Sequence, residues 1–127
     1  MKFNPFKYLI DNYIDKHFRL DIGKIKISKA DGYSHNVRVC EICCKLIQED
    51  NTNFICQPRF KKGIRPDIVF NRGNIIYVIE VRNTETDKRS MAKMKKLAKE
   101  LKNCVIYIDA NTPIEEEIIK IKWKTTK

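Results

Sequence analysis

The feature that most constrains this chain is a hairpin-like stretch carrying acids where a buried sheet expects apolar side chains. Arg65-Pro66-Asp67-Ile68-Val69-Phe70 is β-branched and aromatic, and Asn71-Arg72-Gly73-Asn74 is turn chemistry. Ile75-Ile76-Tyr77-Val78-Ile79-Glu80-Val81-Arg82 is then apolar almost throughout. Two strands around a tight Arg72-Gly73 turn pair Asn71 with Asn74 and Phe70 with Ile75, which sets Asp67 opposite Val78. Side chains alternate faces, so this register puts Asp67, Val78, Glu80 and Arg82 on one side. Asp67 and Glu80 become diagonal neighbours, about 7–8 Å apart at the backbone. A three-residue turn would slip the register and send the two acids to opposite faces.

The second strand is apolar on both faces until Glu80, as a strand covered from both sides should be. A carboxylate at the end of such a strand is costly unless it is paired, hydrogen-bonded or bound to metal. Two arrangements satisfy that demand. Asp67 can pair with Arg65 or Arg82 and Glu80 with Arg82, as structural ion pairs. Alternatively, Asp67 and Glu80 offer hard oxygen ligands to one divalent ion, Mg²⁺ or Mn²⁺.

At these residues the chain resembles the PD-(D/E)xK nuclease superfamily: Pro66-Asp67, a strand-and-turn spacer, then Glu80-Val81-Arg82. The spacing and the basic segment that follows are most similar to archaeal-type Holliday-junction resolvases, and the resemblance runs from about Glu41 to Asp109. It implies a restriction-endonuclease-like core, helix-strand-hairpin-helix-strand around a central mixed β-sheet. It also implies a Mg²⁺-dependent endonuclease acting on DNA, possible as a homodimer, with Asp67, Glu80 and a helix acid as metal and catalytic residues. Junction resolution, restriction and repair all use such a site. The family's lysine is Arg82 here, which stays charged and cannot give up a proton, yet can stabilise charge on a phosphate. The alternative function is a non-catalytic nucleic-acid-binding module on the same fold, with Arg82 closing the acidic site.

The helix acid would come from residues 36–47, where Val39, Ile42, Cys43, Leu46 and Ile47 recur at three- and four-residue steps. Glu41 lies beside that stripe and is the candidate. Glu49 sits in the polar run that ends the helix and suits a solvated role.

Cations surround the acids. The chain has 26 Lys and Arg against 16 Asp and Glu, a net charge of +10, which favours a polyanionic partner such as nucleic acid. Arg59, Lys61, Lys62 and Arg65 are delivered straight to Asp67, with Gly63 among them to admit close approach of a sugar-phosphate strand. After Arg82, a helix to about Lys102 is predicted, with Met91, Met94, Leu97, Ala98 and Leu101 buried. Lys88, Arg89, Lys93 and Lys96 belong to its positive surface, a face for phosphates.

The rest frames this core. The 127 residues suit a single domain, with the core at about 36–110 and extensions at 1–35 and 111–127. The first extension reads as a helix from Pro5 to Phe18 and a short strand at Lys24–Ser28. His35 reads as an exposed loop histidine, with only His17 elsewhere. The last extension reads as a helix start at Thr112-Pro113 and an edge strand through Trp123. Five irregularly spaced cysteines fit a reducing, cytoplasmic setting, and Cys40, Cys43, Cys44 and Cys56 are better read as core filling than as a zinc site. Neither a membrane span nor a signal peptide is expected.

Overall fold

The computed structural model describes residues 4–61, 63–72, 75–82 and 104–109, together with helical positions 92, 95, 96 and 99. The elements bounded within the described residues run in the order α1 (Pro5–Tyr13), α2 (Tyr33–Gln48), β1 (Phe54–Cys56), β2 (Ile68–Arg72), β3 (Ile75–Arg82) and β4 (Cys104–Asp109). The strands form one sheet in chain order. β1, β2 and β3 are antiparallel, and β4 joins β3 in parallel. The chain is therefore a small α/β fold with a mixed sheet.

A parallel neighbour requires a crossover connection. Within it, Ala92, Lys95, Lys96 and Lys99 are helical and exposed, at the spacing of one helix face. No helix among the described residues is long and apolar enough to cross a membrane.

The sheet is covered on both faces, as alternation along β2 and β3 requires. Ile68, Phe70, Tyr77, Ile79 and Val81 face α2, where Val39, Ile42, Cys43 and Leu46 complete one buried layer with Phe54 and Cys56. Val69, Ile76 and Val78 face the other way, onto Phe6, Leu9, Ile14, Ile55 and Phe60. Phe70 and Tyr77 stack at 5.1 Å between ring centroids, a contact that contributes about 1 kcal/mol beyond burial. The buried thiols of Cys43 and Cys56 meet at 3.4 Å in the α2 layer, as core filling predicts, whereas Cys44 is exposed. The hydrogen bond to Cys56, and then burial, push the Cys43 thiol well above the ordinary range.

Three local expectations are corrected. The first helix ends at Tyr13 rather than Phe18, because Ile14 forms a bridge with Phe60. Asp15 N–H donates to Arg59 O and Lys61 N–H to Tyr13 O, both at 2.8 Å, so pairing with 59–61 replaces the next helical turn. Residues 24–28 form no strand, and Ile25 and Ile27 are exposed. α2 starts at Tyr33, three residues before the expected Asn36, on a Gly32 N-cap with no side-chain bond. Its far end closes on Asp50 at φ 59, with Asn51 N–H bonded to Leu46 O at 2.9 Å. The Asn51 amide then donates to Asn71 O at 2.8 Å, pinning the helix end to β2.

Candidate active site

The β2–β3 register differs from the expected one by two residues. Arg72 pairs with Ile75 and Val69 with Val78, so Gly73 and Asn74 alone connect the strands. A shift of two keeps every side chain on its original face but moves its partner. β2 opens at Ile68, and Asp67 lies in a bend just before it, after a buried Pro66.

That bend decides what the Asp67 carboxylate does. The Asp67 N–H donates to Ile79 O at 3.1 Å, and its carbonyl accepts from Gln57 N–H at 2.8 Å. With the β2 backbone turned away, the next β3 donor is met by a side chain: Asp67 Oδ2 accepts from Val81 N–H at 2.7 Å. Asp67 is thus bonded to the residues on either side of Glu80, and the two acids come side by side at the backbone. Strand alternation sets Glu80, half-buried, on the face of Ile76 and Val78. Asp67 does not share that face as a strand residue would, because its carboxylate stays at the ladder.

The other Asp67 oxygen goes to α2. His35 Nε2 lies 2.9 Å from Asp67 Oδ1, and both residues are more than nine-tenths buried. Toward an ionised carboxylate the hydrogen sits on Nε2. Nδ1, on the far side of the ring, is buried without a hydrogen-bond partner and faces Asp31 Oδ2 at 3.7 Å. Asp31 in turn accepts from the Gln57 amide at 3.4 Å. Ser28, Asp31, Gln57, Arg65, Pro66 and Asp67 line a polar cleft of about 230 Å³ beside these groups.

His35 is therefore a buried helix residue and no exposed loop histidine. A signal for it existed: His35, Val39, Ile42 and Leu46 are spaced four, three and four, the stripe α2 buries. Starting the helix at Asn36 hides that phase.

The remaining candidates divide as follows. Glu41 lies on the outer flank of α2, lining a different hollow, with Arg38 Nη1 at 3.7 Å. The α2 residue that meets Asp67 is His35. Glu49 is not solvated but half-buried in an ion pair with Arg72, which also lies 5.4 Å from the centre of the Phe70 ring. Arg82 ends β3, its backbone level with Asp109 of β4. Its side chain lies outside the described residues. Arg59, Lys61 and Arg65 are exposed around the Phe60 turn, where Gly63 holds φ 78, a conformation that favours glycine. Among the described residues the side chain that meets Asp67 is His35, not Arg65. Lys96 is exposed on the crossover, while Lys62, Lys88, Arg89 and Lys93 lie outside the described residues.

Asp67 and Glu80 are adjacent at the backbone, with the Asp67 carboxylate turned to α2 and Glu80 on the α1 side of the sheet. A Mg²⁺-type ion commonly takes one or two carboxylates and fills its shell with water and phosphate oxygens. Among the described residues no three His, Cys, Asp or Glu side chains are grouped to hold an ion alone. Compared with known family models, curated proteins and solved structures, the chain matches none.

Proposed function

We propose that this chain is a divalent-metal-dependent nuclease that hydrolyses phosphodiester bonds in DNA, on a restriction-endonuclease-like core formed by α2 and β1–β4. The observation that carries this reading is the position of Asp67, bonded to Ile79 O and Val81 N–H on either side of Glu80. A buried acid at a strand end, beside a second acid and a polar cleft, suits chemistry better than support. A hydrophobic replacement would serve stability as well as a buried charged pair does.

Asp67 and Glu80 would hold the Mg²⁺ or Mn²⁺ ion. When bound there, it would supply Lewis acidity toward the scissile phosphate. His35 orients the Asp67 carboxylate through Nε2 and fixes which lone pairs face outward. Arg82 follows Glu80 by two residues and brings a permanent positive charge to the same strand end, suited to charge developing on phosphorus oxygens. Arg59, Lys61 and Arg65, on the loop leading to Asp67, and Lys95, Lys96 and Lys99, on the crossover, are exposed cations for the phosphate backbone. Glu41 takes no part. A DNA substrate and free cysteines suit the cytoplasm.

The test is cleavage of branched, duplex and single-stranded DNA with Mg²⁺ or Mn²⁺, by the wild-type chain and by Asp67→Ala and Glu80→Ala variants. Metal-dependent cutting lost in both variants is expected. Cutting that survives both substitutions overturns the assignment. DNA binding without any cleavage favours the module reading, in which Arg82 closes the acidic site.

A further inference from the structure

α2 carries a second stripe that the sheet does not use. Tyr33, Val37, Cys40, Cys44 and Ile47 are spaced four, three, four and three, and at 3.6 residues per turn they lie opposite the buried His35–Val39–Ile42–Leu46 stripe. Tyr33 is 85% exposed, Ile47 42% and Val37 38%, and Ile27 adds to the same surface at 54%. Ile27, Tyr33, Val37, Cys40 and Cys44, with Asn36, Glu41, Lys45 and Gln48 at its sides, line a groove of about 610 Å³, and Ile47 continues the stripe beyond it. The outer side of a surface helix is ordinarily polar, and one that is apolar on both sides is normally covered on both.

The spacing says what kind of element covers it. A four-three repeat is the seam along which one helix packs against another, with each side chain entering a hole between four residues of its partner. The stripe also fits itself. In a copy turned end for end, with Cys40 level with Cys44, Val37 meets Ile47 of the second copy, and the two-fold repeats both layers. Small residues then meet small ones at the centre, with branched aliphatics outside them. Opposed directions set the helix dipoles head to tail. The flank that bears Glu41 on one copy meets the flank that bears Lys45 on the other, so charge is complementary across the axis.

We infer that the outer stripe of α2 is a two-fold homodimer seam, with α2 packed antiparallel on α2 of a second copy of this chain. Such a contact is isologous, so every residue acts twice. It does not depend on the nuclease reading.

Sedimentation of the full chain under reducing conditions, across a wide concentration series, reads the assembly. A dimer is expected, and Val37→Glu and Ile47→Glu should each weaken it at least about a hundredfold, because each charge enters the seam twice. Circular dichroism should be unchanged, since both side chains are exposed in the single chain. Disulfide formation on mild oxidation reads the direction of packing, independently of whether those variants fold, because a disulfide joins level cysteines and not ones a helical turn apart. Antiparallel helices link Cys40 to Cys44 of the other copy, so Cys40→Ser and Cys44→Ser should each abolish the cross-linked dimer. A chain that is monomeric at every concentration, or a dimer indifferent to Val37→Glu, overturns the seam. Cross-linking that persists through Cys40 in the Cys44→Ser variant overturns the antiparallel direction.

Discussion

The two ends of the β2–β3 hairpin each hold a buried or half-buried acid, and they use it differently. At the turn end, Glu49 at the close of α2 meets the guanidinium of Arg72, and a cation and an anion satisfy one another. At the open end, the side chain that meets Asp67 among the described residues is His35. The Asp67 oxygens are held by that histidine and by a strand N–H, and a polar cleft opens beside them. The first arrangement joins a helix end to a strand. The second joins α2 to β3 through a buried carboxylate and leaves that carboxylate beside a polar cleft. The two ends differ in the kind of partner each acid meets.

Asp67→Asn preserves shape and an acceptor for Val81 N–H, yet should lower metal-dependent cleavage by about a thousandfold. Glu49→Gln should leave cleavage within about twofold. Equal losses in a rate assay would show that both acids are structural.

His35→Ala sharpens the point at the open end. If Asp67 binds the metal as proposed, removing the group that orients its carboxylate should cost about 10–100-fold in cleavage. The His35→Asn variant, which restores a donor, should recover part of it. A His35→Ala variant as active as the wild type would show that the histidine does not position Asp67 for cleavage.

Stability should rank the two ends in the same order. Asp67→Ala leaves the Val81 N–H and His35 unpartnered in the interior and should cost about 3 kcal/mol in urea unfolding. Glu49→Ala breaks a partly exposed pair and should cost about 1 kcal/mol. The smallest effect belongs to Glu41→Gln, on the outer flank of α2: cleavage within about twofold and stability within about 0.5 kcal/mol.

Much of this contrast was legible in the sequence, and the exceptions have physical causes. The hairpin strands and the inner stripe of α2 follow from period-two and period-3.6 patterns, which depend on burial alone. The β2–β3 pairing does not. Asn71-Arg72-Gly73-Asn74 offers more than one tight connection, and whether Arg72 sits in the turn or in the strand changes the partner of Asp67 without changing any face. His35 was hidden by a helix start that lacks a side-chain cap, Gly32 being the N-cap. The shortened α1 depends on backbone pairing with residues 59–61, more than forty positions away, which no local propensity can register. Glu41 illustrates the opposite error. It sits near an apolar stripe in sequence, but 100° per residue carries it off the sheet side of the helix.

On the proposed function, the open end of the hairpin, and not the turn end, binds a divalent ion. Electron paramagnetic resonance of Mn²⁺ titrated into the intact protein tests it without any need for turnover. One ion bound per chain is predicted, with binding lost in Asp67→Asn and Glu80→Gln and retained in Glu49→Gln. Mn²⁺ that stays free with the wild-type chain, or that binds equally well after Asp67→Asn, would contradict it.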